Sequence, residues 1–207
     1  MKSLLNNPVL YRLFALVTGN MKARKFFAEH IIKAPPGARV LDIGCGTGEM
    51  FEYLKNTSYS GFDMNKAYID HAVKKYGEKA SFTHGRVGSS NIEQYRDSFD
   101  IVIASGLLHH LDDQEGQQLT ELAYTALKDG GTFYTLDGCY TENQSLAQRV
   151  LLNNDRGEFV RTQEKYLNII GKVFSDYKSD TYQNLMYIPY TLAIIEAQKP
   201  KPPFSTL

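Results

Sequence analysis

Cysteine is scarce in this chain of 207 residues: only Cys45 and Cys139 occur. Neither sits at a metal-ligand spacing, so no structural zinc site or disulfide framework is expected, and no metal. A reduced, cytoplasmic protein is the expectation. Charge of one sign is lacking as well, because 23 Lys and Arg balance 23 Asp and Glu. A neutral chain carries no overall signature for nucleic acid or for an anionic membrane, and leaves open only a local patch. Long apolar runs are also missing. The apolar residues near the N-terminus are broken by Arg12 and no small-residue cleavage site follows, so neither a signal peptide nor a membrane span is expected. The chain contains no internal repeat and no low-complexity tract. Its length suits one α/β domain with a full core.

What is present is organised around Val40-Leu41-Asp42-Ile43-Gly44-Cys45-Gly46-Thr47-Gly48-Glu49. An apolar run reads as a buried parallel strand, and a helix is expected from Glu49 to about Lys55. Three glycines in five residues permit positive φ and leave no Cβ between backbone and ligand. The spacing is not that of a dinucleotide site, since the third glycine arrives one residue early and Glu49 would oppose a pyrophosphate. No Gly-Lys-Ser/Thr follows, which excludes a nucleoside triphosphate loop.

Asn7-Pro8 predicts a helix start, and Val9, Leu10, Leu13, Phe14, Leu16 and Val17 fall on one broad face, read as core packing. A second helix is expected over 20–33, ended by Pro35-Pro36. Strands are expected at 59–63, 80–84, 99–104, 132–136, 176–183 and 187–198. Helices are expected over 68–76, with Asn65 as cap, and after Asp112, whose spacing to Glu115 predicts a capping box. Lys199 onward, with three prolines, reads as an exposed tail. Asp63 ends the second strand about twenty residues past the first glycine, where nucleoside-binding folds place a carboxylate for ribose hydroxyls.

The Asp42-x-Gly-x-Gly-x-Gly loop, Asp63, the stretch FDIVIASGLLHHLDD over 99–113 and the stretch LKDGGTFYTLD over 127–137 occur in the order of a known family. Together they resemble the class I S-adenosylmethionine-dependent methyltransferases, of the small bacterial type that acts on small molecules. The resemblance covers roughly 38–198. It implies a Rossmann-like sheet of seven strands, mostly parallel with an antiparallel last strand, and helices on both faces. It divides one domain, 1–207, into a helical cover (1–36), a cofactor-binding core (37–138), a lid insertion (139–174), closing strands (175–198) and a tail (199–207). It implies S-adenosyl-L-methionine as cofactor, S-adenosyl-L-homocysteine as product, and a small-molecule acceptor methylated on O or N. The cofactor residues would be Asp42, Gly44, Cys45, Gly46, Thr47, Gly48, Asp63, Met64, Ala104 and Ser105. Within these, Asp42 would orient the methionine amino group and Ala104 and Ser105 would supply backbone contacts.

Where the family often carries an acid for adenine, this chain has Gly85-Arg86. An arginine cannot accept that hydrogen bond, so Ser89, Ser90 or backbone must serve. Tyr11 reads as structural, with a cofactor contact as its other use. His109 and His110 lie where the methyl should emerge and are the candidate bases for a hydroxyl acceptor, His110 placed ahead. An amine would need little base. Arg156 and Arg161 could hold a carboxylate or phosphate, against pairing with Asp155, Glu158 or Glu164. Tyr140 is a substrate candidate, and Asp137 and Tyr190 are pocket candidates read first as structural. Partners beyond the acceptor are not expected, and the chain should be a monomer or homodimer. Two rival readings remain: a nicotinamide oxidoreductase, which Glu49 opposes, and a cofactor-binding module without transfer. Nucleic-acid methylation is disfavoured because no Asn/Asp-Pro-Pro-aromatic motif follows the fourth strand.

Overall fold

The computed structural model describes residues 7–88, 92–155 and 157–202. Ser89, Ser90 and Arg156 therefore lie outside the described residues.

The frame is one sheet in the order β3-β2-β1-β4-β5-β8-β7. Its strands are β1 Arg39–Ile43, β2 Ser58–Asp63, β3 Ser81–His84, β4 Phe99–Ser105, β5 Leu127–Tyr140, β7 Asp176–Tyr182 and β8 Leu192–Gln198. The first five run parallel, and β8 is antiparallel to both of its neighbours. An eighth strand, the two-residue β6 Arg161–Thr162, is added to the end of β5 through Cys139 and Tyr140. The central strands β1 and β4 are mostly apolar because both faces are covered. Val40, Ile101 and Ile103 enter one core with Phe27 and Phe51. Leu41, Val102 and Ala104 enter the other with Phe133, Tyr166 and Ile170.

The helices are α1 Pro8–Thr18, α2 Asn20–Phe26, α3 Lys66–Tyr76, α4 Asp113–Ala126, α5 Leu146–Asn153 and α6 Gln163–Ile170. Their starts follow local rules: Asn7, Asn65 and Asp112 accept backbone N–H bonds, and Asp112 and Glu115 form the expected capping box. The α2 helix widens into a π-turn over Phe27–Ile32, which ends at Lys33 in the left-handed region.

Four expectations are corrected. After the glycine loop the chain forms only a 3-10 turn, Glu49–Tyr53, because residues 54–57 must return at once to β2. The β5 strand begins five residues early, since Lys128–Gly131 bulge out opposite Asp100 and Lys128 pairs with that aspartate at 2.7 Å. Lys199 is buried rather than tail-like, with its ammonium bonded to Asp97 and to the carbonyls of Tyr124 and Leu127. The apolar face of α1 is not core. Val9, Leu10, Leu13, Phe14, Leu16 and Val17 are all exposed, while Ala15 and Thr18 face the protein. In addition, α6, assigned from sequence to the lid, buries Tyr166 and Ile170 fully in the sheet-covering layer.

Candidate active site

The carboxyl ends of β1, β2, β4 and β5 lie side by side, where open α/β sheets collect ligands. Gly44, Gly46 and Gly48 have φ of 78°, 58° and 79°, which side chains with a Cβ rarely adopt. The loop is tied to β2, since Gly44 and Cys45 donate to the Phe62 carbonyl at 2.8 and 3.0 Å. Gly46 donates to Asp63 Oδ2 at 2.9 Å, and Asn65 donates to Asp63 Oδ1 at 2.8 Å. Asp63 is thus fixed at the loop, although burial raises its pKa against those bonds.

Beneath the loop, Asp42 is buried and accepts from the Tyr59 hydroxyl through Oδ2. Its Oδ1 has no protein partner among the described residues, and burial pushes the carboxyl up to about 6. A buried, unpaired acceptor at a strand end is what an ammonium group from a ligand would satisfy. Glu49 is also buried. It accepts from Thr47 Oγ1 and from Arg24 at 3.5 Å, and Arg24 reaches the Tyr11 hydroxyl at 2.8 Å. The Tyr11 ring lies over the loop, 3.9 Å from where a Gly46 Cβ would stand. Cys45 is buried, and burial raises its thiol well above the ordinary range, so it is inert packing. Ala104 and Ser105 are buried at the end of β4, whereas the Met64 side chain is 63% exposed.

Arg24 went unnoticed in the sequence. Its only signal was Glu49, a buried acid in need of a counter-charge, and nothing local said which base would supply it.

The loop after β4 meets the segment after α5. His109 is buried, with Nδ1 2.8 Å from Asp137 Oδ1 and Nε2 3.3 Å from Asp155 Oδ1. The two carboxylates outweigh burial and raise the imidazole to about 9, and Asp155 is held well below the usual carboxylate range in return. Tyr190 donates to Asp155 Oδ2 at 2.7 Å, and Phe159 N–H donates to the His109 carbonyl at 2.9 Å. Asp137 Oδ2 is buried without a protein partner among the described residues. His110 lies on the exposed side of the turn, its ring 4.3 Å from that of His109. Tyr140 is bonded to Asn153 at 2.7 Å, beside a hollow that also includes Asp155 and Glu158. Arg161 is buried and spends all five N–H donors inside the protein, on Asp113 twice and on the carbonyls of Leu108, Leu111 and Phe159. It is a staple for the loop after β4 and has no donor left for a substrate; its partner is Asp113, which the sequence did not indicate.

A family model described as a methyltransferase domain matches residues 40–131, the segment that carries the glycine loop, Asp63 and the loop after β4. Residues 40–131 thus resemble the methyltransferase domain of the class I S-adenosylmethionine-dependent enzymes. Phosphoethanolamine N-methyltransferase 1 of Arabidopsis thaliana is 24% identical over 191 residues, covering 89% of this chain and 38% of that protein. The chain spans between 22% and 38% of the length of such curated relatives. Among solved structures, a methyltransferase of Thermotoga maritima described as a possible histamine N-methyltransferase superposes with a TM-score of 0.68 at 19% identity, covering 91% of this chain and 94% of that one. Phosphoethanolamine N-methyltransferase 2 of Haemonchus contortus, solved with phosphomonomethylethanolamine and S-adenosylhomocysteine, gives 0.66 at 16% identity, over 84% of this chain and 52% of that one. At these identities the structural likeness concerns the fold. S-adenosylmethionine is the cofactor that this resemblance implies, and the unpaired Asp42 oxygen and the open glycine backbone fit it.

Proposed function

We propose that this methyltransferase moves the methyl group of S-adenosylmethionine to the nitrogen of a small-molecule amine. When bound, the cofactor supplies an electrophilic methyl, so the protein's tasks are alignment and exclusion of water. In this reading Asp63 holds the ribose hydroxyls and Asp42 receives the methionine ammonium. The backbone of 44–48 and 104–105 lines the rest, with Tyr11 as cover. Arg24, bonded to Glu49 and to the Tyr11 hydroxyl, supplies the positive charge nearest the loop for the methionine carboxylate. Met64 contributes backbone at most, because its side chain points to solvent.

The observation that carries the amine is the state of His109. Held 2.8 and 3.3 Å from two carboxylates that raise it to about 9, this imidazole is poorly placed to take a proton from a hydroxyl, which leaves His110 alone as a base for that chemistry. An amine that arrives uncharged needs no such base, and the unpartnered Asp137 Oδ2 offers its N–H an acceptor. His109 is thereby a positioning residue. His110, at the exposed rim, is the histidine that remains to touch the acceptor, along with Tyr140. In this reading Leu152, Asp155 and Val160 line the same hollow as Tyr140. Phosphoethanolamine N-methyltransferase 1 of Arabidopsis thaliana, the relative matched over most of this chain, is consistent with nitrogen as the target.

Labelled-methyl transfer to a panel of primary amines, with and without phosphate, and to matched alcohols and phenols tests the proposal. Label on amines alone is expected. Label confined to hydroxyl acceptors would overturn it.

A further inference from the structure

The α1 helix is turned inside out relative to its sequence pattern. At about 100° per residue, Val9, Leu10, Leu13, Phe14, Leu16 and Val17 occupy an arc of about 160°. Their exposures run from 39% to 68%, and the opposite face, with Tyr11, Ala15 and Thr18, packs inward. A contiguous apolar face of this kind on a small domain marks a place where something docks. The patch continues past Gly19, where Tyr187, 70% exposed, donates its backbone N–H to the Thr18 carbonyl. Lys22 stands over the Tyr187 ring at 5.7 Å. Lys25, on the same side of α2 as Lys22, is exposed as well.

Charge selects the occupant. Residues 1–28 contain no acid; among the described residues Arg12 and Arg24 pair with Glu52 and Glu49, so Lys22 and Lys25 are the cations this edge presents. The first acid is Glu29, 4.0 Å from Lys25. Phe and Leu on the outward face of a helix, with lysines and a tyrosine at its edge, is the pattern of a helix that lies in the headgroup region of a bilayer. Among the described residues no helix is long and apolar enough to cross a membrane. We propose that the α1 face and Tyr187 dock this domain on an anionic lipid surface, with Lys22 and Lys25 against the headgroups. The inward face of the same helix holds Tyr11 on the glycine loop, so the docked surface lies one helix diameter from the cofactor site.

The test is co-sedimentation of the full chain with phosphatidylcholine vesicles, with and without phosphatidylglycerol, beside the double variant Leu13→Glu/Val17→Glu. Both positions are exposed, so the variant should keep its fold, with an unchanged melting temperature as the control. The wild type should sediment with phosphatidylglycerol vesicles, less so as salt rises, and the variant about ten-fold more weakly or worse. Absence of vesicle binding by the wild type, or equal binding by the variant, would overturn the proposal. So would sedimentation equilibrium showing a wild-type dimer that the variant dissolves, since a second copy of the chain would then cover the face.

Discussion

His109 donates in two directions, to Asp137 and to Asp155, and its stability consequence has a definite sign. Its folded pKa of about 9 lies above the unfolded value of 6.5. The contribution is therefore fully present below pH 6.5 and is lost as pH rises through 9. Asp42, raised to about 6, titrates below this window. Chemical denaturation of the wild type should show stability falling between pH 6.5 and 9 by at most ~3 kcal/mol. His109→Gln should be less stable at pH 6.5 and flat across the same range. A wild type that is flat there would mean that the imidazole is neutral and free to act as a base. At this scale the sequence was legible where the signal was local. Asp63, Asn65 and the Asp112–Glu115 box each announced themselves by position in a strand end or cap. The partners of His109 and Arg161 lie 28 and 48 residues away in the chain. No spacing rule links them, and pairing is decided by which loops the sheet brings together.

Between elements, the segment after α5 is locked to the loop after β4 by close approach as well as by charge. A Cβ on Gly157 would stand 2.0 Å from His109 Cδ2 and 2.5 Å from its carbonyl oxygen. Gly157→Ala must therefore push the two loops apart. It should cost about 1–3 kcal/mol in thermal or denaturant unfolding, and raise KM for the acceptor more than for the cofactor. A variant as stable as wild type with unchanged kinetics would show that the segment is not held there. The buried strands could be read from their apolar runs, because parallel strands covered on both faces have no other composition open to them. The role of α1 could not. Periodicity says that a helix has an apolar face, and only the packed chain says whether protein covers it. The early start of β5 was hidden for a similar reason: the Gly130-Gly131 turn signal was real, but the chain resumes pairing on both sides of the bulge.

Across the whole molecule, the ordered motifs were enough for the sheet and the cofactor class. They shed no light on the chemistry of the acceptor, because on the proposed reading that rests on a histidine held by distant carboxylates. The central claim is that the glycine loop and Asp63 form an S-adenosylmethionine site, and calorimetric titration with S-adenosylhomocysteine tests it most directly. The wild type should bind in the micromolar range. Asp63→Ala should bind about 10- to 100-fold more weakly, the loss expected when a charged hydrogen-bond acceptor is removed, while its circular dichroism stays that of the wild type. No heat of binding at millimolar ligand, or equal affinity in the variant, would contradict the assignment.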